Sequence, residues 1–532
     1  MEQRRSRHIA LNTLVVIAAF GLAAAMGLLR NIIISREFTI GSQLDAYYAA
    51  FKLPDLLFTI VAGGALATAF IPVFADFLTD GDRPGAWRLA SAITNLVVIA
   101  VAALAGLAAL SAPWLVRTLL APGFAPAAQA ETATVMRIVL LSTLLFGISS
   151  VQSSVLHGFK HFLLPALAPA LYPLGIIVGA LWLAPTLGIM GLAWGALLGA
   201  FLHLAAKVPA LVHFGFRWQP VLDLRSPAVH RVGWLMGPRV LDLAVFQLTL
   251  ILMTNLASRL ATGSVSALEW GWDAMQLPET LIGTAFGIVA FPTMVELAAR
   301  SDVGGLRHTL GETTRAVLAL ATPAAVALIL LGRPVLSLLY QGGSFDDAAI
   351  DAIYVALRFF AIGLVAQTAL ELAARAFFAQ KDTVTPLLVA AASGLTTILL
   401  GALLMRTMGH GGLALGNSLA VSAEVLALWL LLRRRWGSVE GRSTALTLGR
   451  VALASGLMAL VLWGVLTFTA GQAWATLPTL ALAGVTGGVT YVIACVLLKE
   501  HAVFYLPAAL LGAATGLFAP PADTPLPAES EP

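Results

Sequence analysis

The sequence is short of charged residues and almost without cysteine. Only 11% of its 532 residues are Asp, Glu, Lys or Arg, whereas soluble globular domains carry about 25%. Its single cysteine, Cys495, excludes a disulfide framework and any site that needs several thiolates. The nine histidines show no spacing that indicates a metal site. We therefore expect neither a metal nor a cofactor, and a chain that resides in lipid.

Long polar segments are missing as well. Hydrophobic residues make up 59% of the chain, and the mean hydropathy is +0.90. No interval between apolar runs is long enough for a folded soluble domain, and a net charge of +4 does not indicate nucleic-acid binding. The Pro- and acid-rich residues 519–532 are expected to be disordered. Together these features predict an all-α, polytopic membrane protein.

Apolar runs of spanning length predict fourteen transmembrane helices. Basic residues within 1–8 precede an apolar run too long for a signal peptide, so the first helix is expected to be retained. A further run at 502–517 is short and contains Pro507, which favours an interfacial or re-entrant segment. The predicted spans are 10–34, 44–77, 87–110, 133–158, 163–183, 188–212, 233–260, 266–298, 310–331, 350–379, 384–406, 411–433, 446–469 and 475–498.

Lysine and arginine are concentrated in alternate loops, which indicates the cytoplasmic side of the membrane. Because the number of predicted spans is even, both termini are expected to be cytoplasmic. The loops assigned to this side contain Arg4, Arg5, Arg7, Arg83, Arg88, Lys160, Lys207, Arg217, Arg225, Arg231, Arg300, Arg307, Arg315, Lys381, Arg433, Arg434, Arg435, Arg442, Arg450 and Lys499.

A dense motif block lies between Gly27 and Pro72. It reads G-x-x-R, then D-A-Y-Y-A-A-F-K-L-P, then G-A-x-x-x-A-F-I-P. This block resembles the opening of the MurJ (MviN) lipid II flippases, a branch of the multidrug/oligosaccharidyl-lipid/polysaccharide (MOP) exporter superfamily. Further similar segments bring the resemblance to about residues 20–435; they include APGF at 121–124, FLLPALAP at 162–169, QLPETLIGTAFGIVAFP at 276–292 and AFFAQKDTVTP at 376–386.

The resemblance implies an architecture and a function. It implies two six-helix lobes around a central cavity, an N-terminal lobe at 1–213 and a C-terminal lobe at 214–435, with two C-terminal helices and a short apolar segment at 436–518. The implied activity is flipping lipid II, an undecaprenyl-pyrophosphate-linked peptidoglycan precursor, across a bacterial cytoplasmic membrane by alternating access. The protein is then expected to be a monomer and not an enzyme. Its expected partners are the polyprenyl-pyrophosphate lipid, membrane lipids and other cell-wall synthesis proteins.

Ionisable residues inside the predicted spans are candidates for the cavity, because charge at membrane depth usually faces water or another charge. The family cavity is cationic, which suits a pyrophosphate. Arg30 keeps one family arginine, but the other three positions are Ala24, Phe58 and Asp273. The resulting cavity candidates are Arg30, Asp45, Lys52, Arg239, Asp273, Gln276 and Arg375.

Several of these candidates have a simpler interpretation. Arg30 could extend toward the outer interface, and Asp45 could cap the second helix at its N-terminus. Arg239 with Asp242, at i,i+3, and Glu371 with Arg375, at i,i+4, could each form a neutral pair on one helix face. Alternatively, Arg239 or Arg375 replaces a lost cavity cation.

Proline and glycine inside long apolar runs are candidate hinges. Proline lacks an N–H and bends a helix, so Pro54, Gly64, Pro278 and Gly283 are predicted to permit movement. The alternative is that they serve helix packing, in which both residues are common in membranes.

Other functions remain open from the sequence. A polyprenyl-dependent glycosyltransferase is disfavoured, because the outward loops are short and poor in acidic residues. A drug or ion-coupled exporter of the same superfamily, a flippase for another polyprenyl-linked oligosaccharide, and a non-transporting scaffold of envelope synthesis are all compatible with it.

Overall fold

The computed structural model describes residues 2–62, 64–470, 476–500 and 502–504, with the side chains of 2–18, 20, 62, 64, 65, 237–239, 241, 242 and 504 outside the description. Within these ranges the chain is helical and has only one isolated β-bridge, between Gly342 and Phe345. Of the apolar run at 502–517, only a short 3₁₀ turn at Ala502–Phe504 is described. The rest of that run and the tail lie outside the described residues.

The described chain forms fourteen long helices, in agreement with the predicted number of spans. Twelve of them are both long and apolar enough to cross a membrane; the apolar part of α7, Leu243–Ala257, is shorter. The helices are α1 (Glu2–Glu37), α2 (Ser42–Ala62 and Gly64–Thr79), α3 (Arg83–Leu110), α4 (Pro126–Gly158), α5 (Leu163–Leu187), α6 (Ile189–His213), α7 (Pro227–Ala257), α8 (Ser264–Ala299), α9 (Val303–Tyr340), α10 (Asp347–Ala379), α11 (Val384–Met408), α12 (His410–Trp436), α13 (Gly441–Ala470) and α14 (Thr476–Leu497).

The helix packing falls into groups that follow chain order. Helices α1 to α6 pack on one another, with α1 against α5, α2 against α4, and α5 against α6. Helices α8 to α12 form a second group, in which α10 contacts α8, α9 and α12. Helix α7 packs against both α2 and α11, and α13 and α14 pack on each other and on α9. The two large groups therefore face each other across α1, α2, α7 and α8.

The turns between α5 and α6 and between α11 and α12 have the same backbone conformation. Gly188 has φ 57° and ψ −138°, and Gly409 has φ 57° and ψ −139°. A positive φ is unfavourable for residues with a Cβ, so glycine permits the helix pair to reverse direction at this point. The same glycine turn before the last helix of each group is typical of transporters built from related halves.

The local sequence explains where several helices begin. Asp82, Asp302 and Asp346 precede α3, α9 and α10, and each carboxylate accepts a hydrogen bond of 2.8 to 2.9 Å from a backbone N–H in the first turn. Such caps satisfy N–H groups that have no partner inside the helix.

Candidate functional site

Lys52 of α2 and Glu269 of α8 form an ion pair between the two helix groups. Lys52 is buried, whereas Glu269 is only partly buried. Asp55, one turn after Lys52, is exposed and lies within electrostatic range of both. Asp55 is exposed although the residues just before it in α2 are buried. This indicates that α2 borders an open space next to Asp55.

A second charged group lies beside the first, where α1 faces α8. The Arg30 guanidinium donates hydrogen bonds to Asn31 Oδ1, with distances of 3.0 Å from Nε and 2.8 Å from Nη2. Arg30 Nη2 is also 3.9 Å from Asp273 Oδ2. Arg30 is therefore directed at α8, a position that favours the cavity interpretation over extension toward the outer interface.

An aromatic group takes the place of one expected arginine. The ring of Phe58 is 5.7 Å from that of Phe146, which lies 5.0 Å from Tyr172 and 5.1 Å from the His203 ring. Rings at these distances pack favourably with each other. Phe58 therefore joins an aromatic cluster with α4, α5 and α6 at the position where the family pattern has a cation.

Asp45 does not cap its own helix, contrary to one interpretation of the sequence. Its carboxylate instead accepts hydrogen bonds from the N–H of Gly263 at 2.6 Å, the N–H of Ser266 at 2.8 Å and the Ser266 hydroxyl at 2.7 Å. These donors belong to the amino end of α8, where a carboxylate is favoured by the unpaired N–H groups and the helix dipole. Asp45 is 2% exposed, so it acts here as a cap between helix groups.

Further hydrogen bonds close the same end of the bundle. Arg36 Nη1 donates to the Gln341 carbonyl at 2.9 Å, and the Ser344 N–H donates to the Arg36 carbonyl at 3.2 Å. Asn255 Nδ2 donates to the Leu119 carbonyl at 2.7 Å. Together with Asp45, these contacts join the first six helices to α7, α8 and the turn between α9 and α10.

The Glu371–Arg375 pair predicted from its spacing is present in α10. Arg375 Nη2 lies 2.8 Å from Glu371 Oε2, and Nη1 donates to the Thr284 carbonyl at 3.3 Å. Thr284 ends a π-helical turn, Thr280–Thr284, inside α8. The guanidinium thus satisfies both a carboxylate and a carbonyl next to an irregular turn, a feature frequent at functional sites.

The remaining candidates are placed as follows. Gln276 is exposed, Pro278 precedes the π turn of α8, and Gly283 lies within that turn. Pro54 is inside the first segment of α2, and Gly64 begins the second. The side chains of Arg239 and Asp242 lie outside the described residues, so their predicted pairing stays a prediction.

Sequence reasoning missed two residues of the site and misplaced a buried lysine. It named neither Glu269 nor Asn31 as a candidate, and it assigned Lys207 to a cytoplasmic loop. Lys207 is fully buried, and its Nζ donates to the Ser149 carbonyl and the Ser153 hydroxyl, both at 2.8 Å. The serine-rich stretch of α4 was the available signal, because buried hydroxyls in a membrane helix need partners.

The space between α1, α2 and α8 is thus lined by charges of both signs. Two cations, Arg30 and Lys52, face three carboxylates, Asp55, Glu269 and Asp273. Over the described ranges, no group of three or more His, Cys, Asp and Glu side chains could hold a metal ion. In this arrangement Arg30 or Lys52 can exchange its carboxylate partner for another anion.

The sequence of this chain is similar to lipid II flippases named MurJ. The family model described as lipid II flippase MurJ matches residues 34–482. The chain is 31% identical over 431 residues to the lipid II flippase MurJ of Burkholderia cenocepacia, covering 79% of this chain and 83% of that protein. It is 25% identical over 508 residues to a probable lipid II flippase MurJ of Vibrio cholerae, covering 93% and 96% of the two chains.

Solved structures resemble the fold. A lipid II flippase MurJ in an inward closed conformation superimposes with a TM-score of 0.78 at 21% identity, covering 92% of this chain and 99% of that one. An inward-facing multidrug resistance MATE transporter of the MOP superfamily gives 0.67 at 15% identity, with coverage of 80% and 99%. The sequence match extends over both groups of helices, and the chain therefore belongs to the lipid II flippase MurJ family.

Proposed function

We propose that this protein flips lipid II across the bacterial cytoplasmic membrane by alternating access. The observation that carries the proposal is the family match over residues 34–482, because it includes both helix groups and the charged space between them. Relatives along most of the chain are named lipid II flippases. The protein moves its substrate without a chemical step, so it is not an enzyme.

The pyrophosphate of the substrate is proposed to bind where Arg30 and Lys52 face α8. Arg30 supports this role because a guanidinium binds phosphate oxygens through two parallel hydrogen bonds. Arg375 lies by the π turn of α8 and is a further candidate cation. Asp273 and Gln276 then border the site, while Asp45 closes its outer end.

Alternating access requires the two helix groups to separate at each end in turn. The hydrogen bonds of Asp45, Arg36 and Asn255 would hold the outer end closed while the substrate enters from the cytoplasm. The π turn after Pro278, with Gly283 inside it, would let α8 bend. Pro54 and Gly64 would serve α2 in the same way.

The multi-pass helices and the family indicate an inner-membrane protein. We propose that both termini are cytoplasmic, that the lobes divide at residues 213/214 and 435/436, and that the protein acts as a monomer. Membrane lipids and other cell-wall synthesis proteins are proposed further partners.

A second candidate is the flipping of a different polyprenyl-linked headgroup. The carboxylates of Glu269 and Asp273, which face the cavity cations, favour it because they alter the charge that a headgroup meets. A non-transporting scaffold would leave the same family match without any translocation.

Complementation tests the proposal. The full chain is expressed in a strain depleted of its own lipid II flippase, and translocation of lipid II is measured in proteoliposomes that contain the purified protein. Growth and translocation are the expected results. Translocation of another polyprenyl lipid without lipid II would support the second candidate, and protein that translocates neither would support the scaffold.

A further inference from the structure

Both cations that the described residues place beside the charged space are paired with a carboxylate of α8. Lys52 of α2 contacts Glu269, 217 residues away in the sequence. Arg30 of α1 lies 3.9 Å from Asp273, through Nη2 and Oδ2. Both pairs therefore connect the first group of helices to the second.

The partners in these pairs differ in their access to solvent. In each pair the carboxylate is the more exposed partner: the side chain of Lys52 is 8% exposed against 24% for Glu269, and that of Arg30 is 24% exposed against 40% for Asp273. A buried cation without a partner is strongly unfavourable, but a carboxylate at an open surface regains water when it is released. Exchange of the carboxylate for another anion would keep the cation paired and hydrate the carboxylate.

We infer that Glu269 and Asp273 occupy the phosphate positions on Lys52 and Arg30 while the protein is empty, and that an anionic diphosphate headgroup displaces them. The inference rests on the proposed function, because it concerns the same headgroup site. The two carboxylates of α8 would thus compete with the substrate headgroup for Lys52 and Arg30 within the same molecule.

Displacement would also couple headgroup binding to movement. The two ion pairs hold α1 and α2 against α8, so a diphosphate that takes over both cations removes two connections between the helix groups. A ligand shifts an equilibrium only by its different affinity for the two states. Here that difference arises because the empty, closed state has the carboxylates on the cations and the bound state does not. Arg30 and Asp273 are 3.9 Å apart, beyond hydrogen-bond distance, so this pair is the looser of the two connections.

Binding of undecaprenyl diphosphate to the full chain in lipid nanodiscs tests the competition. Glu269→Gln and Asp273→Asn each remove a competitor, so the Kd is expected to fall, by about tenfold for Glu269→Gln, which corresponds to about 1.4 kcal/mol. Lys52→Gln should raise it. Glu296→Gln is the matched control, because it removes an exposed carboxylate that pairs with Arg300 one helix turn away and should leave the Kd unchanged.

The second measurement follows the helix groups directly. Spin labels at Thr39 and Thr262, on exposed turns at the outer end, report the separation of α2 from α8. In the wild type the distance distribution should shift toward opening only with undecaprenyl diphosphate, whereas Glu269→Gln with Asp273→Asn should show part of that shift without ligand.

The outcomes separate this inference from the proposed function. A Kd that falls in neither Glu269→Gln nor Asp273→Asn overturns the competition, including the case in which no form binds the probe. A lower Kd in either variant supports it, and Asp273→Asn serves should Glu269→Gln fail to fold. Lower Kd values in protein that does not translocate lipid II would leave the inference standing and refute the proposed function.

Discussion

The carboxylate of Asp45, on α2, accepts a hydrogen bond of 2.8 Å from the backbone N–H of Ser266, on α8. The same carboxylate accepts from Gly263 N–H and from the Ser266 hydroxyl. A residue of one helix group thus completes the end of a helix in the other. Asp45 satisfies the N–H groups at the amino end of α8 only while this end of the helix bundle is closed.

Asp45→Asn is expected to favour opening of the outer end. The asparagine amide has only one acceptor oxygen, and its NH₂ group would face the N–H of Gly263 or Ser266. The substitution therefore loses hydrogen bonds to a charged group, which contribute about 1.5–3 kcal/mol. Spin labels on cysteines introduced at Thr39 and Thr262 measure the change in distance. The native Cys495 is buried and should not react with the label. Asp302→Asn makes the same substitution in the cap of α9, which connects no helix groups, and should leave these distances unchanged. An unaltered distribution in Asp45→Asn would show that the cap does not hold the closure.

Arg30→Lys is expected to fail nearly as badly as Arg30→Ala. If the guanidinium binds pyrophosphate through two charged hydrogen bonds, a lysine cannot replace this geometry, and translocation should fall by about tenfold or more. Translocation of lipid II is measured at equal membrane abundance. Arg333→Lys is the control, because Arg333 pairs with Asp347 and Asp351 at an exposed position. Full activity of Arg30→Ala would refute a role in substrate binding.

Hydropathy was sufficient to predict the helices, because spanning segments have a fixed length and must satisfy their own backbone. The Glu371–Arg375 contact was also predictable, since residues four apart share a helix face. Both depend on local sequence alone.

The site was less predictable because its contacts depend on how distant helices pack. Nothing near Lys52 indicates a partner 217 residues away. Asp45 lies in the first turn of α2, where a cap of its own helix was the simpler interpretation. Lys207 looked like a loop cation because it follows an apolar run, yet the close approach of α6 to α4 buries it.

Reporter fusions test the proposed orientation. Fusions at Arg225, between α6 and α7, and at Arg442, at the start of α13, should both report cytoplasm, since these loops are rich in basic residues. A fusion at Gly342, between α9 and α10, should report the periplasm. A periplasmic signal at Arg225 or Arg442 would contradict the topology.

Glu440, between α12 and α13, predicts a pH-dependent contribution to stability. Burial alone would raise its pKa, but hydrogen bonds from Arg315 and His308 outweigh burial and hold the pKa of the carboxyl below its usual value. A carboxyl with a lowered pKa in the folded state stabilises above its unfolded pKa of about 4.3, and this contribution is lost as the pH falls through the folded value.

Glu440→Gln should therefore lower the free energy of unfolding at pH 7 by about 1 kcal/mol or less, because the ion pair that it breaks is partly exposed. The difference from wild type should disappear at acidic pH. Thermal unfolding of the purified protein across pH measures it. Glu296→Gln, which breaks an exposed pair with Arg300, should show a smaller effect. A difference that grows on acidification would contradict the sign.

The Glu371–Arg375 pair decides whether Arg375 replaces a lost cavity cation. If Arg375 binds substrate, Arg375→Gln should abolish translocation while folded protein remains in the membrane. If it only neutralises Glu371, the single variant leaves a carboxylate unpaired beside Glu279 and should lower abundance. Breaking a fully buried pair costs about 3–5 kcal/mol. The cost here should be smaller, because Glu371 is 36% exposed and water screens its charge.

The double variant Glu371→Gln with Arg375→Gln separates these two roles. In the structural case it should restore both abundance and translocation, because no charge is left unpaired and the Thr284 carbonyl can accept from the new amide. In the substrate-binding case abundance should recover but translocation should not. Membrane abundance by quantitative immunoblot and translocation of lipid II in proteoliposomes are measured for the single and double variants. Recovery of translocation would exclude Arg375 as the replacement cation and leave Arg30 and Lys52 as the described cations proposed to bind the headgroup.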